Sequence, residues 1–510
     1  MSARRANLFV SLSLGAVLAG CAGAPGARSA ADATAPVAFE HGLRPGVLRA
    51  GQAPPGWSLR ERMAHYGVPG VAVAVLRGGQ VVHAAGYGVR EAGTNDRVDA
   101  DTLFSVASVS KVATAGVALR LVAKGALDLD RDVNAYLTSW QVPPREGARP
   151  PKVTLRMLMS HTAGFGQHGF KDFQPGEALP TALQTLDGQP PAKHEPVRLL
   201  HPPGERFGYS GGGVTVEQVV LGDVSGRPLE ALARAELFGP LGMRRSTFEN
   251  PLSAARGNIA KAHDHHGRPR ARPRGWEAFA ELAASGLWTS ARELGAYVAA
   301  LLRSYRGEGG FLPRALAVDM MTEVSPGGYG LGPRLSGWGE TRVFSHSGSN
   351  ESYKAYIEGN LSSGDGLVVL TNGARGADLY DEIRNAIADA YRWPTRRALR
   401  AIAADQRDPL AARYAGPYEL DAGIPQDWQR ALNDSPPELR IAWQGGALTC
   451  AWGAQPEPLE LVPIAPNRFV TTDRRALQFE FHRDGGPPGA LTVTSEDARL
   501  FYRRKAPAPP

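Results

Sequence analysis

Cysteine is nearly absent from this sequence of 510 residues, in which only Cys21 and Cys450 occur. Cys21 lies at the end of an N-terminal targeting segment, so the mature protein is expected to lack an internal disulfide. Cys450 lies in an apolar strand pattern, which is typical of a small buried hydrophobic side chain rather than of a reactive thiol.

The sequence also lacks the kind of basic patch that binds nucleic acid. Its net charge is +7, and its densest basic run, residues 268–274, is broken by prolines and contains no aromatic residue. Such a run is typical of a solvated loop, and no nucleic-acid partner is predicted. A hydrophobic content of 43% and a charged content of 21% indicate a globular protein, and the length predicts at least two domains.

The N-terminus has no apolar run long enough to cross a bilayer. Arg4 and Arg5 precede an apolar run over residues 8–18, and this order is typical of a cleaved signal peptide. We therefore predict a signal peptide over residues 1–20, followed by a tether over residues 21–45 that is rich in Ala, Pro and Gly.

The signal peptide ends in Leu18-Ala19-Gly20-Cys21, which resembles a bacterial lipobox. The resemblance implies that Cys21 is lipidated and anchors the N-terminus to a membrane. We therefore expect the protein in the cell envelope, on the periplasmic side or at the outer membrane if the cell is Gram-negative. An ordinary small-residue cleavage site with an incidental cysteine is the alternative.

Strand patterns lie near both ends of the main part of the chain, with helical patterns between them. Two apolar runs around Gly78-Gly79 predict a β-hairpin. Further strand patterns cover residues 342–346, 353–358 and 367–371. We therefore predict one α+β domain over residues 46–400, in which strands from both ends form one antiparallel sheet.

A composition change near residues 403–409 predicts a domain boundary. Beyond it, short strand patterns separated by Gly, Pro and Asp predict a small β-rich module over residues 405–505.

The stretch Ser108-Val109-Ser110-Lys111 begins a helical pattern over residues 109–124 that ends at Gly125. A serine and a lysine three positions apart on a helix share a face and lie within side-chain reach. A serine in the first turn also has its backbone N–H at the positive end of the helix dipole. The stretch therefore offers a nucleophile, an adjacent amine and half of an oxyanion hole.

A serine nucleophile needs a group that takes its proton. Lys111 can do so only if burial or a nearby cation lowers its pKa. Tyr209, in Gly208-Tyr209-Ser210-Gly211, is the candidate partner, either as a tyrosinate or as a Tyr–Lys pair that passes the proton to the leaving group.

The stretch His346-Ser347-Gly348-Ser349 lies in a strand pattern and supplies the third part of the candidate site. Gly348 is interpreted as a position that lets a substrate approach the backbone closely. The backbone N–H of Ser349 would complete the oxyanion hole with that of Ser108.

These stretches resemble, in order along the chain, the three motifs of the β-lactamase-related serine hydrolases, which include class C β-lactamases, family VIII carboxylesterases and DD-peptidases. The motifs are Ser108-Val109-Ser110-Lys111, Tyr209-Ser210-Gly211 and His346-Ser347-Gly348. Flanking signatures at residues 158–164, 203–207 and 286–290 agree with this family, and the resemblance covers about residues 46–395.

The resemblance implies a β-lactamase/transpeptidase-like fold, in which an antiparallel sheet is flanked by helices and joined to a helical subdomain. It also implies an acyl-enzyme on Ser108, with Lys111, Tyr209 and His346 as catalytic residues and no metal or organic cofactor. The β-rich module resembles the lipocalin-like tail of some members of the family.

Two positions depart from the family's usual motifs and bear on the substrate. Gly211 stands where many members have an Asn whose amide contacts the acylated substrate, and His346 stands where a Lys helps to hold a substrate carboxylate. Gly211, Ser347 and Gly348 are assigned to substrate binding. Because histidine is largely neutral near pH 7, both changes favour an ester, or an amide without that carboxylate, over a penicillin or a D-Ala-D-Ala peptide.

The expected function is therefore hydrolysis of a small ester, amide or lactam, most simply by an esterase or amidase. A β-lactamase or a D-alanyl-D-alanine carboxypeptidase is the first alternative. A penicillin or peptidoglycan sensor that acylates without turnover is the second.

Three other patterns are given structural interpretations. Gly208-Tyr209-Ser210-Gly211-Gly212 fits a nucleophile elbow, but no strand pattern precedes Ser210. His263-Asp264-His265-His266 leads into a turn at Gly267, so a surface hairpin is favoured over a metal site. His161 is expected to fix a loop through bonds to the backbone.

Overall fold

The computed structural model describes most of the chain between residues 38 and 505. The described ranges are 38–144, 151–174, 176–270, 275–325, 327–403, 411–424, 436–453, 457–473, 476–482, 489–495 and 499–505. The signal peptide, Cys21 and most of the tether lie outside these ranges, as do residues 404–410 of the domain boundary, so these predictions stay predictions. No helix within the described ranges is long and apolar enough to span a bilayer.

The larger domain is built on a six-stranded antiparallel sheet. Its strands and the short strands beside it are β1 (Val47–Leu48), β2 (Gly70–Arg77), β3 (Gln80–Gly88), β4 (Phe104–Ser105), β5 (Trp288–Thr289), β6 (Arg334–Ser336), β7 (Val343–Ser349), β8 (Lys354–Asn360), β9 (Gly366–Thr371) and β10 (Leu399–Arg400). The order in the large sheet is β3-β2-β9-β8-β7-β6. Strands from both ends of the domain thus share one sheet, as the sequence predicts.

Helices cover both faces of this sheet. They are α1 (Leu59–Tyr66), α2 (Ser110–Ala123), α3 (Leu155–Met159), α4 (Ala182–Asp187), α5 (Gly211–Ser225), α6 (Leu229–Ala233), α7 (Leu282–Ser285), α8 (Ala291–Arg306), α9 (Arg314–Met320) and α10 (Gly376–Ala390). Helices α2 to α7 follow β4 and precede β5, and they form the helical part expected from the family resemblance.

Strand β2 shows why both faces are covered. Successive side chains of a strand point to opposite faces, and the odd-numbered valines from Val71 to Val75 pack in a core with α1 and α10. The even-numbered side chains from Ala72 to Leu76 pack in the core that contains α8 and the helical part. A Cβ on Gly295 of α8 would lie 3.2 Å from the Cβ of Ala74, so small residues bring this helix close to the sheet.

The C-terminal module is a closed antiparallel barrel with its own core. Its strands are β11 (Gly416–Leu420), β12 (Glu438–Gln444), β13 (Ala447–Ala451), β14 (Leu459–Ala465), β15 (Arg468–Thr471), β16 (Gln478–His482), β17 (Ala490–Thr494) and β18 (Arg499–Arg504). Phe481 stacks on Tyr414 with 4.4 Å between ring centroids, and Cys450 is fully buried as a hydrophobic residue. The predicted α+β class with a separate all-β module is therefore confirmed.

The prediction of a surface hairpin at residues 263–266 is wrong for its first residue. His263 is fully buried. Its Nδ1–H donates to the carbonyl of Asn372 at 3.1 Å, and its Nε2 accepts from the N–H of Ala92 at 3.0 Å. Both ring nitrogens are thus used to join chain segments, and among the described residues no three His, Cys, Asp or Glu side chains are grouped to hold a metal ion.

Candidate active site

Ser108 lies on a tight turn immediately before α2. Residues Ala107–Val109 form a single 3₁₀ turn, and Ala107 has a positive φ of 44°, which is unfavourable for a residue with a Cβ. The hydroxyl of Ser110 donates to the carbonyl of Ala107 at 2.6 Å and accepts from the N–H of Leu287 at 3.0 Å. Ser110 therefore holds the turn in place, and Ser108 is left partly exposed in a cavity.

Lys111 is buried beside the candidate nucleophile. Its Nζ lies 3.0 Å from Ser108 Oγ and donates to the carbonyl of Ala284, also at 3.0 Å. Burial lowers the pKa of Lys111 to about 7, although the carboxyls of Glu281 and Glu217 act in the opposite direction. A substantial fraction of the amine is therefore unprotonated at neutral pH and has a lone pair for the serine proton.

Tyr209 lies just before α5 and completes this group. Lys111 Nζ is 4.9 Å from the centroid of its ring. Removal of the phenol from water raises the pKa of Tyr209 to about 12, and a hydrogen bond with Ser108 opposes that rise. Tyr209 is thus a phenol at neutral pH, which argues against the tyrosinate and leaves the Tyr–Lys pair of the two predicted arrangements.

His346 on β7 is buried and neutral. Its Nδ1–H donates to the carbonyl of Ser347 at 2.7 Å, so its Nε2 carries the lone pair. That Nε2 is buried and has no hydrogen-bond partner among the described residues. Burial, and then the charge of Lys111, lower the pKa of His346 to about 3. Its ring centroid lies 6.3 Å from that of Tyr209, so the free acceptor is close to the candidate relay.

A cavity of about 400 Å³ opens at Ser108. Lys111, Tyr209, Gly211 and Ser349 also line it, so the two predicted oxyanion donors border the same space. Its described lining residues all lie between 108 and 351, and none belongs to the barrel. The catalytic roles themselves remain predictions.

The structure gives Gly348 a packing role that the sequence does not reveal, and its assignment to substrate approach stays a prediction. A Cβ at this position would lie 2.0 Å from the carbonyl oxygen of Val106, two residues before the candidate nucleophile. Packing of β7 on that segment therefore requires glycine here. Ser347 is exposed, and neither it nor Gly348 is among the described residues that line the Ser108 cavity.

Gly211 borders the cavity, but its backbone is already occupied. Its N–H donates to the carbonyl of His168 at 3.0 Å, and the N–H of Gly212 donates to the carbonyl of Gln167 at the same distance. A Cβ on Gly211 would lie 3.0 Å from that His168 oxygen and 3.3 Å from the ring of Phe170. A loop thus covers the position at which related sequences carry Asn.

Ser210 and His161 have the structural roles that the sequence favours. The Ser210 hydroxyl caps α5 by accepting from the N–H of Gly213 at 3.0 Å, and it donates to the carbonyl of Gln167. The N–H of Ser210 donates to His161 Nδ1 at 3.2 Å. His161 also packs on Tyr209, with 4.3 Å between ring centroids, and so positions the candidate relay.

Two buried carboxyl groups near Lys111 were not found from the sequence. Glu217 on α5 and Glu281 before α7 are 1% and 4% exposed, and burial raises the pKa of each to about 8. For Glu281 the nearby charge of Asp172 adds to this rise. A weak signal for Glu217 is its position among the valines of residues 214–220, although Thr215 and Gln218 are also polar.

Arg334 is a further residue that the motifs do not reveal. It lies at the start of β6, opposite Ser345 of β7, with its guanidinium 5.3 Å from the centroid of Tyr329. Its positive charge acts on Tyr209 and His346, lowering the pKa of both, although desolvation is the larger influence on each. The neighbouring strand therefore supplies a cation close enough to act on His346 and Tyr209.

Comparison with known proteins agrees with this geometry. A family model described as "Beta-lactamase" matches residues 58–392, so the chain belongs to the β-lactamase family of serine hydrolases.

Relatives within this family are named for different activities. Penicillin-binding protein 4 of Amycolatopsis lactamdurans is 26% identical over 381 residues, which cover 71% of this chain and 96% of that protein. Esterase EstB of Burkholderia gladioli is 31% identical over 325 residues, which cover 55% of this chain and 75% of the esterase.

A solved structure extends the similarity beyond the hydrolase domain. The octameric penicillin-binding protein homologue from Pyrococcus abyssi has a TM-score of 0.55 at 20% identity, covering 87% of this chain and 98% of that chain. This likeness concerns the fold alone.

Proposed function

We propose that this protein hydrolyses small esters or amides through an acyl-enzyme on Ser108. The observation that carries the proposal is the 3.0 Å contact between Lys111 Nζ and Ser108 Oγ, in a setting that lowers the lysine pKa to about 7. A lysine with its ordinary pKa would stay protonated at neutral pH and could not take the serine proton.

In the proposed reaction, Ser108 Oγ attacks the carbonyl carbon while its proton passes to Lys111. The backbone N–H groups of Ser108 and Ser349 stabilise the oxyanion. The Tyr209 phenol protonates the leaving group and recovers a proton from Lys111, and the acceptor nitrogen of His346 orients the phenol or the substrate. Water then attacks the acyl-enzyme and gives a proton to Lys111. As the acid is released, Lys111 passes that proton to Ser108 Oγ, which restores the serine hydroxyl and the neutral amine.

The direct test is Ser108→Ala with p-nitrophenyl butyrate as substrate. We expect loss of essentially all hydrolysis, on the order of 10⁵-fold or more, since the remaining groups cannot replace the nucleophile. Ser362→Ala, in an exposed turn after β8, is the matched control and should keep wild-type kcat/KM. Undiminished turnover by Ser108→Ala would remove this serine from the mechanism.

Intact-mass spectrometry of the wild type separates hydrolysis from simple acylation. A stable adduct on Ser108 without steady product formation would support the sensor interpretation instead.

A second candidate function, a D-alanyl-D-alanine carboxypeptidase or β-lactamase, is favoured by Arg334. Its guanidinium, near Tyr209 and His346, is suited to a carboxylate on the leaving-group side. Arg334→Gln should then raise KM for N-acetyl-D-alanyl-D-alanine and nitrocefin at least tenfold more than for p-nitrophenyl butyrate. An equal change for all three substrates would argue against carboxylate recognition.

We further propose that the protein is lipid-anchored in the cell envelope through Cys21. The lipobox-like stretch 18–21 supports this proposal. Labelling of cells with a palmitate analogue should mark the wild type and fail with Cys21→Ser; equal labelling of both would contradict the anchor.

A further inference from the structure

The Ser108 cavity contains a buried carboxyl group for which the proposed reaction has no use. Glu281 lines the cavity and is 4% exposed. Its Oε2 is buried and has no hydrogen-bond partner among the described residues. A buried acceptor without a partner costs free energy, so its presence in a cavity points to a ligand that supplies a donor.

Glu281 is close to the reacting atoms. It immediately precedes α7, and the carbonyl of Ala284 in that helix accepts from Lys111 Nζ at 3.0 Å. The same Nζ contacts Ser108 Oγ. Only one short helical turn therefore separates Glu281 from the catalytic amine, so a donor bound by Glu281 belongs near the scissile carbonyl.

The chemistry around Glu281 favours a positively charged donor over a neutral one. Asp172 lines the same cavity, and its charge makes ionisation of Glu281 less favourable. The negative charge of Asp172 thus opposes a negative charge on Glu281, and a cation bound beside the two residues would favour the ionised form of Glu281. The charge of Lys111 acts on Glu281 in the favourable direction, but the Lys111 Nζ bonds to Ser108 Oγ and to the carbonyl of Ala284, and burial lowers its pKa to about 7. A second cation, brought by the ligand, would add to this effect.

The other charged residues of the cavity are placed differently. Glu351 is bonded to Arg270, and Lys171 is exposed at the cavity edge, where water solvates its charge. The remaining acidic groups of the cavity are therefore Glu281, which is buried, and Asp172, which is half-buried.

We propose that Glu281 and Asp172 bind the ammonium group of an acyl donor, so that the preferred substrates are esters or amides of α-amino acids with a free amino group. The proposal rests on the proposed acyl transfer to Ser108. An α-ammonium nitrogen lies about 2.5 Å from the carbonyl carbon, by standard N–Cα and Cα–C bond lengths, and therefore fits a binding group this close to the nucleophile.

The test compares benzyl esters that differ in the group at the amino position. The substrates are the benzyl esters of D-alanine and L-alanine. The neutral analogues are benzyl isobutyrate, in which a methyl replaces the ammonium, and N-acetylalanine benzyl ester. The release of benzyl alcohol gives kcat/KM for each. We expect at least one alanine enantiomer to exceed both neutral analogues by tenfold or more. Glu281→Gln should reduce the alanyl-to-isobutyryl ratio at least tenfold, and Asp172→Asn should reduce it severalfold.

The ratio of kcat/KM for the alanine ester to kcat/KM for benzyl isobutyrate separates substrate recognition from a general loss of activity, since any effect on Lys111 is common to all the esters. Glu308→Gln, at an exposed position beyond α8, is the matched control and should leave the ratio unchanged. If Glu281→Gln does not fold, Asp172→Asn is the test: a severalfold fall of this ratio supports the inference, and an unchanged ratio contradicts it.

Two outcomes overturn the inference. In the first, benzyl isobutyrate is hydrolysed as well as either alanine ester. In the second, p-nitrophenyl butyrate is hydrolysed and neither alanine ester is. Both would leave the Ser108 mechanism standing, whereas loss of activity toward every ester would contradict the proposed function itself.

Discussion

The surroundings of Ser108 and the interior of the barrel differ in whether their buried polar atoms have hydrogen-bond partners. Near Ser108, Glu217 Oε1, Glu281 Oε2 and His346 Nε2 are buried without a hydrogen-bond partner among the described residues. In the barrel, the Tyr418 hydroxyl donates to the carbonyl of Tyr414 at 2.9 Å. Among the described barrel residues, no buried side-chain nitrogen or oxygen lacks a hydrogen-bond partner.

The barrel interior is packed for stability, whereas the groups near Ser108 are the ones that the proposed reaction uses. The barrel interior gains free energy from close-packed aromatic and aliphatic side chains and satisfies the few polar groups that it buries. The region around Ser108 keeps unpartnered polar atoms and a desolvated amine that cost stability, and in the proposed reaction the amine takes the serine proton. Substitutions in the two regions should therefore change different measured quantities.

The largest expected effect is on turnover in the cavity. Lys111→Arg keeps a cation beside Ser108, but a guanidinium does not deprotonate and cannot take the serine proton. We expect kcat/KM for p-nitrophenyl butyrate to fall about 10²- to 10⁴-fold in the folded variant.

Lys124→Arg is the matched control, because this lysine follows α2 on the surface, where it pairs with Glu236. It should keep wild-type kinetics. Substantial activity in Lys111→Arg would show that another group acts as the base.

The second effect concerns the barrel and should be confined to stability. Phe481 is fully buried and stacks on Tyr414, so Phe481→Ala leaves a cavity and should destabilise the barrel by about 3–5 kcal/mol. Because no described barrel residue lines the Ser108 cavity, kcat/KM at 25 °C should stay within about twofold of wild type.

Trp443→Ala, at a position 42% exposed, should shift unfolding by less than about 0.5 kcal/mol. A large loss of kcat/KM in folded Phe481→Ala would show that the barrel acts on the active site. It would contradict the expectation that barrel substitutions change stability alone.

The sequence predicts the parts of this molecule that depend on local pattern. The hairpin around Gly78-Gly79 follows from two apolar runs and a turn, and Ser108 and Lys111 meet because of their spacing at the start of a helix. Tyr209 comes to the same place through the family motifs. In each case neighbouring residues, or a motif with a fixed order, carry the information.

The remaining features depend on contacts between distant segments. Gly348 is needed because β7 packs on Val106, and no local pattern shows which backbone will approach it. Arg334 acts on His346 from the three-residue strand β6, which is too short to give a periodic signal. Burial determines whether Glu281 is charged, and burial is a property of the assembled cavity.

The next prediction tests whether the buried carboxyl group of Glu217, near Lys111, costs stability. Burial raises the folded pKa of Glu217 to about 8, above its ordinary value of 4.5. Folding therefore favours the protonated form, and the contribution of Glu217 to stability is lost as the pH rises from about 4.5 through about 8. Glu217→Gln, which is neutral and of similar shape, should match the wild type at pH 4.5 and be more stable at pH 8 by about 1–3 kcal/mol. Equal pH dependence of thermal unfolding in both proteins would place an ionised carboxylate at this site.

The smallest effect is the pH dependence of turnover, which assigns the titrating group in the cavity. The reaction needs unprotonated Lys111, whose pKa is lowered to about 7, so kcat/KM should fall about tenfold per pH unit below that value. His346 is already neutral, because burial lowers its pKa to about 3, and it should add no inflection between pH 5 and 7. In His346→Gln we expect kcat/KM to change by the same factor at every pH, while the inflection near 7 stays. Loss of that inflection in the variant would assign it to His346 and contradict the lysine base.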